Sequence, residues 1–232
     1  MAAGLGLKEY SDASACNRTR QSYAELVARQ EKLRLLSFAC SGATTSSGIL
    51  GIQQVNGLDV SPQLDQLFAL KQAPKLITLT IGANDMGWTE LLTKCATASC
   101  GSDEDTALVD GRLSVFRNNL ESIAQRLREH YGAKLPRVVV TGYYQLLPSL
   151  LQSCPEMTGL TADELTWERA QETKLNDAIM SVVGSEKPIS FAAVDFTGHE
   201  SCTSTAWVQG INADAPFHPT LTGQQAYQKA VQ

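Results

Sequence analysis

The sequence predicts a single α/β domain built on a parallel sheet with crossover helices. Apolar runs rich in β-branched residues alternate along the chain with helical patterns, which is the signature of that architecture. At 232 residues the chain is long enough for one domain with a full core, and neither a repeat nor a low-complexity tail divides it.

Ser22 to Gln30 reads as the opening helix and Leu35 to Ala39 as the first strand. Ser41 to Ser61, rich in Gly, Ser and Thr, reads as a loop. Ser61-Pro62 then places proline at the first position of a helix over Gln63 to Lys71. Leu76 to Ile81 is the next strand, and Cys95 to Asp105 is a second loop excursion. A helix over Leu113 to Tyr131 stops at Gly132, and Val138 to Gly142 forms a further strand. Thr161-Ala162-Asp163-Glu164 reads as a capping box opening a helix over Ala162 to Val183. Phe191 to Asp195 is the last strand and Thr220 to Val231 the terminal helix. These strands are few for the length, and the first visible element is a helix. In a doubly wound sheet the first strand normally lies centrally. The expectation is that this strand lies outside the sequence.

Hydrophobic content of 43% and charged content of 19% are ordinary for a globular protein. A net charge of −5 with no basic stripe gives no support for a nucleic-acid partner. No run approaches the roughly 18 to 20 apolar residues that span a bilayer, so no stable membrane insertion is expected. The six cysteines are scattered, with no Cys-x-x-Cys pair and no histidine at zinc-finger spacing, which argues against metal ligation. Free thiols are one reading. An even number in polar, loop-like surroundings favours disulfides and an oxidising compartment. The chain opens with neither a basic nor an apolar region of the kind a signal peptide carries.

Acyl transfer needs a nucleophile, a base to deprotonate it and donors aimed at the oxyanion. His218 is the candidate base. It sits in Asp214-Ala215-Pro216-Phe217-His218-Pro219, where flanking prolines hold an imidazole rigidly ahead of the terminal helix. A plain surface histidine is the competing reading. His130 stands at a helix end, where an imidazole meets the helix dipole favourably, and His199 either pairs with Asp195 or braces a loop near Cys202. Asn84, in Gly82-Ala83-Asn84-Asp85 directly after a strand, is the candidate side-chain donor, with a turn as the alternative. Gly42 also comes directly after a strand, and its lack of a Cβ lets a backbone N–H approach a ligand. No glycine-rich phosphate loop with a following Lys-Ser/Thr is present, which leaves a nucleotide-binding reading with little support.

These segments together resemble the SGNH hydrolases, also called GDSL esterases and lipases, and especially their secreted bacterial branch with three disulfides. Ala39-Cys40-Ser41-Gly42-Ala43 is similar to the family's glycine block. Ile81-Gly82-Ala83-Asn84-Asp85 is similar to its Gly-x-Asn-Asp block and Phe217-His218-Pro219 to its histidine block. Cys16-Asn17-Arg18 and Trp207-Val208-Gln209-Gly210 are similar to that branch as well. The resemblance implies a flavodoxin-like three-layer α/β/α sandwich with a mostly parallel sheet. It implies a serine esterase or lipase acting on small-molecule or lipid esters without metal or cofactor. Its oxyanion hole would comprise the nucleophile's N–H, the Gly42 N–H and the Asn84 amide, with His218 as base. It also implies sequential disulfides, Cys16–Cys40, Cys95–Cys100 and Cys154–Cys202, in a secreted or extracytoplasmic protein.

Two departures qualify the match. The family's opening block is Gly-Asp-Ser, then small residues and glycine, and Met1-Ala2-Ala3-Gly4-Leu5-Gly6 resembles the stretch just after that serine. The nucleophile is then expected immediately before Met1, whether through a misassigned start, trimming or a break at a modified serine. The family also usually places Asp three residues before the histidine, where this chain has Ala215, with Asp214 one residue earlier. Either the Asp214 side chain reaches round or a backbone carbonyl orients the imidazole. The second is favoured, because the Pro216 ring holds Ala215 extended. The alternative to an esterase is a non-catalytic binding domain or an inactive fragment on the same scaffold. Unpaired ladder groups beside a central strand cost roughly 1–3 kcal/mol each against a total stability of about 5–15 kcal/mol. The 232 residues by themselves are therefore expected not to fold stably.

Overall fold

Side chains of Ser102, Thr161 and Thr220 accept backbone N–H groups and open the three longest helices among the described residues. The structure is a computed structural model and describes residues 1–8, 10, 15–150, 159–184 and 188–232. Helix α1 (Tyr23–Gln30) leads through a hairpin, β1 (Gln53–Val55) and β2 (Leu58–Val60), to α2 (Gln63–Phe68) and β3 (Leu76–Leu79). Then come α3 (Ala83–Met86), α4 (Trp88–Thr97), α5 (Asp103–Tyr131), β4 (Arg137–Thr141), α6 (Ala162–Val183), β5 (Ile189–Ala192) and α7 (Leu221–Val231). The expected capping box opens α6: Thr161 accepts the Glu164 N–H while the Glu164 carboxylate accepts the Thr161 N–H. Gly132 ends α5 at φ +52°. Pro62 takes the N-cap of α2 instead of its first turn.

Strands β3, β4 and β5 form a parallel sheet in that order, with Ile77 opposite Val138 and Val140 opposite Phe191. Alternation along β4 assigns its two faces. Val138 and Val140 pack with Phe116, Leu120 and Ile123 of α5 and Leu175 and Ile179 of α6. Val139 points the other way, into a cluster with Tyr23 and Val27 of α1 and Tyr227 and Val231 of α7. Helices thus cover both faces, giving the three layers expected of a mostly parallel sheet.

Several local expectations are corrected. Helix α5 begins at Asp103 and not near Leu113, because Ser102 and Asp105 form a second capping box and Lys94 pairs with Asp105 at 2.5 Å. The polar, Gly111-containing first turns hide that start from a reading of apolar periodicity. The loop Ser41 to Ser61 contains the β1–β2 hairpin, whose Asn56-Gly57 turn has both residues at positive φ (51° and 77°). That dipeptide is a hairpin signal in its own right. Helices α3 and α4 are likewise additional to the expected elements. β5 starts two residues before the expected Phe191 and ends at Ala192.

The largest correction concerns Leu35 to Ala39, which joins no ladder. A strand exists through backbone hydrogen bonds to a neighbour, and among the described residues no backbone–backbone bond involves 34–39. Between this segment and β3 lies a cavity of about 850 Å³ that both line. Disulfides Cys16–Cys40 and Cys95–Cys100 are formed as expected. The third expected pairing involves Cys154, which lies outside the described residues. Among the described residues no helix is long and apolar enough to cross a membrane.

Candidate active site

Gly82 turns the chain sharply from β3 into α3 at φ +129°. A Cβ there would sit 2.8 Å from Leu175 Cδ1 and 3.0 Å from the Phe116 ring, so only glycine lets the turn pack against α5 and α6. Two residues in the first turn of α3 hold the glycine-block loop. The Asn84 amide donates to the Ala43 carbonyl at 2.9 Å, leaving its second N–H available. The Asp85 carboxylate accepts the Thr45 N–H (2.9 and 3.1 Å to its two oxygens) and the Thr45 hydroxyl. Asn119 of α5 donates to that same hydroxyl at 3.0 Å. Burial raises the Asp85 pKa, and its bonds to Thr45 oppose the shift. Gly42 adopts φ +78°, the left-handed region, although a Cβ would meet nothing closer than 3.7 Å. Its requirement is conformational, not steric.

The histidine loop is fixed from three sides. The Gln209 backbone brackets it, accepting from the Phe217 N–H at 2.9 Å and donating to the His218 carbonyl at 2.8 Å. The Tyr144 hydroxyl, just beyond the end of β4, donates to the Phe217 carbonyl at 2.6 Å. Phe217 itself is held at φ +63°, a costly conformation for an aromatic residue that the surrounding bonds enforce. His218 Nδ1 lies 3.0 Å from the Pro216 carbonyl. A carbonyl only accepts, so this contact places the proton on Nδ1 and leaves Nε2 as the basic nitrogen. Asp214 is exposed. The described contact to Nδ1 comes from the Pro216 carbonyl, not from the Asp214 carboxylate. Burial, then the nearby Met1 ammonium, lowers the His218 pKa to about 4, against its bonds to the Pro216 and Ala215 backbone.

The amino-terminal loop completes the wall. The fully buried Gln224 of α7 donates to the Met1 carbonyl at 3.2 Å and accepts the Tyr23 N–H at 2.8 Å. Gln209 Nε2 donates to the Leu5 carbonyl at 3.2 Å, and Gly6 has no Cβ to collide with that amide. The Met1 amino group is buried, which pushes its pKa down to about 6. Met1, Gly42, Asn84 and His218 therefore line one cavity, the 850 Å³ space beside β3, and Asp214 does not. Tyr143 also lines it, accepting the Ala83 N–H at 3.2 Å, and burial drives its pKa far up.

Tyr144 and Gln224 carry no local sequence signal for these roles, since their partners lie 73 and 223 residues away. Gln209 stands in a block similar to the bacterial branch, but the resemblance assigns it no role. An imidazole with its proton on Nδ1, a glycine N–H and a side-chain amide lining one cavity are the group types that take a proton and stabilise an oxyanion.

Comparison with known proteins is consistent across the chain. Residues 1–226 match the GDSL-like lipase/acylhydrolase family. Lipase 2 of Streptomyces coelicolor is 28% identical over 242 residues, covering 96% of this chain and 79% of that protein. The crystal structure of phospholipase A1 from Streptomyces albidoflavus superposes with a TM-score of 0.75 at 26% identity, over 99% of this chain and 93% of that one. The extracellular lipase of Streptomyces rimosus gives 0.70 at 25% identity, with the same coverage.

Proposed function

The chain belongs to the GDSL-like lipase/acylhydrolase family, and on that premise we propose that it hydrolyses carboxylic esters through a serine acyl-enzyme. The observation that carries this reading is that His218, Asn84, Gly42 and Met1 line one cavity, with His218 Nδ1 facing a backbone carbonyl. The nucleophilic hydroxyl is that of a serine, as in the family's Gly-Asp-Ser opening block. Its proton passes to His218 Nε2 as the oxygen bonds to the ester carbonyl carbon. The resulting oxyanion accepts from the Gly42 N–H, the Asn84 amide and the serine's own N–H. His218 then returns the proton to the departing alcohol, and water repeats the cycle on the acyl-enzyme.

The Pro216 carbonyl replaces the usual carboxylate behind the histidine. It fixes ring orientation and tautomer without adding a full negative charge, and its hydrogen bond and that of Ala215 only partly offset the lowering of the imidazole pKa by burial. Asp214 is exposed, and the ring is oriented by the Pro216 carbonyl instead. The substrates are small-molecule or lipid esters, and the disulfides Cys16–Cys40 and Cys95–Cys100 support an extracytoplasmic site of action.

The test uses the gene's complete product with p-nitrophenyl esters and a fluorophosphonate probe. His218→Ala should lower kcat by about 10⁴ or more, and Asn84→Ala by roughly 10²–10³. The acid limb of kcat/KM should lie below the usual histidine value of 6.5, because burial disfavours the imidazolium. Turnover that survives both substitutions, or a protein that the probe never labels, would refute the reading.

A further inference from the structure

The glycine-block loop holds one unoccupied backbone donor, with a buried side chain directly behind it. The Ser41 N–H donates to the Cys16 carbonyl and the Ala43 N–H to the Cys40 carbonyl, both at 3.2 Å. Between them, no backbone carbonyl among the described residues takes the Gly42 N–H. Glycine permits either sign of φ, so its value of +78° does not by itself fix which way the Ser41–Gly42 peptide faces. That orientation needs a lock. Gln53 of β1 is placed to supply it, being 5% exposed and donating from Nε2 to the Ser41 carbonyl at 2.8 Å. A trans peptide is planar, with its C=O and N–H pointing in opposite directions. Holding the carbonyl on Gln53 therefore aims the Gly42 N–H away from β1. Ser41 and Gly42 line the cavity with Asn84 and His218, whereas Gln53 stands behind the loop and does not.

We propose that Gln53 is a positioning residue of the oxyanion hole, locking the Ser41–Gly42 peptide so that the Gly42 N–H faces the substrate carbonyl oxygen. Keeping an amide at this position costs stability. The Gln53 Oε1 is buried and has no hydrogen-bond partner, and a purely structural position would be better served by an apolar side chain of the same shape. Gly48 makes room for that oxygen: at φ +115°, a Cβ there would stand 2.9 Å from Oε1 and 2.7 Å from the Ala43 Cβ. From the other side of the loop, the Asn84 amide holds the Ala43 carbonyl at 2.9 Å, so the peptides flanking Gly42 are each tied to a side-chain amide. The catalytic part of this inference rests on the esterase reading, and the lock on the peptide does not.

The experiment compares Gln53→Met and Gln53→Glu with the wild type, all as full-length protein, using p-nitrophenyl esters. Gln53→Met keeps the volume and removes both the donor and the orphan oxygen, so the melting temperature should stay within about 4 °C of wild type. Its kcat should nevertheless fall by roughly 10²-fold, the effect of losing one oxyanion donor, with KM changed less than about threefold. Gln53→Glu gives a pH signature. Ionised, its carboxylate cannot donate to the Ser41 carbonyl; protonated, it donates as Gln53 does. Its kcat relative to wild type at the same pH should climb as pH falls, while that of Gln53→Met should not. Crystal structures of both variants read the lock without any turnover. The Gly42 N–H should turn from its wild-type direction in Gln53→Met, and should return in Gln53→Glu as the carboxyl gains its proton. An N–H that keeps its direction in Gln53→Met overturns the inference whatever the kinetics, and so does a kcat loss in Gln53→Glu that ignores pH. A turned N–H with undiminished kcat, or in a protein whose wild type neither hydrolyses esters nor reacts with a fluorophosphonate, would instead overturn the esterase reading and leave Gln53 as the lock of the peptide.

Discussion

Strands β3 and β4 have similar sequences, Leu-Ile-Thr-Leu and Arg-Val-Val-Val-Thr, yet they occupy unlike surroundings. Val138, Val139 and Val140 are at most 1% exposed, with a strand on either side and helices on both faces. Every residue of β3 is only partly buried, because one edge faces the cavity. Burial here is set by the number of neighbours, not by side-chain type. The contrast divides the molecule into a packed side, built by β4, β5, α5 and α6, and an open side where the candidate site lies.

The strongest test of this contrast places the same charge on both strands. Val139→Asp buries an unpaired carboxylate and should cost more than about 4–5 kcal/mol, enough to abolish cooperative unfolding. Ile77→Asp borders the cavity and should cost under about half of that. Equal losses in urea titrations would erase the distinction.

The packed side carries a penalty of its own. Glu168 of α6 is 1% exposed, and neither carboxylate oxygen has a hydrogen-bond partner. Burial pushes its pKa up to about 8. Its neighbour Glu172 is raised as well, by burial and then by the charge of Glu168, against one bond from the Leu146 N–H. Unfolding returns Glu168 to the ordinary carboxylate range, so the folded state holds its proton more tightly. Its contribution to stability is fully present below about pH 4.5 and is lost as pH rises toward about 8, on the order of 3–5 kcal/mol. Glu168→Gln should flatten the pH dependence of the melting temperature across that window, with little effect at pH 4. An unchanged slope would mean that the carboxylate is solvated.

The smallest effect separates the two disulfides. Cys16–Cys40 closes 24 residues and anchors the end of the 34–39 segment, which joins no ladder, whereas Cys95–Cys100 closes only five. On loop entropy alone the first contributes about 3 kcal/mol and the second about 2 kcal/mol. Paired Cys→Ala variants should differ by about 1 kcal/mol in equilibrium unfolding, with the larger loss for Cys16 and Cys40.

Legibility tracks the range of the interactions. The Thr161 capping box, the Gly132 stop and the terminal helix are legible in the sequence because each depends on residues within a few positions. The Asn56-Gly57 hairpin carries an equally local signal, masked by the polar composition of the loop around it. Helix α5 is longer than its apolar stripe suggests, because its first turns are held by Ser102, Asp105 and Lys94. In the candidate site, Gly42, Asn84 and His218 stand out because they sit in short blocks beside strands or prolines. Whether Asp214 reaches the imidazole is not a matter that spacing decides. The Pro216 carbonyl, 3.0 Å from Nδ1, takes that position in the fold.

The sequence by itself determined the bounds of α1, α6 and α7 to within a residue, the runs that form β3, β4 and β5, and which residue types could carry acyl-transfer chemistry. All of these depend on neighbours along the chain. Only the tertiary structure decided that Leu35 to Ala39 joins no ladder, that Tyr144, Gln209 and Gln224 brace the site, and that β3 faces a cavity where β4 faces a neighbour. Those outcomes rest on backbone and side-chain partners far apart in sequence, and a hydrogen bond across such a distance has no signature in either segment alone.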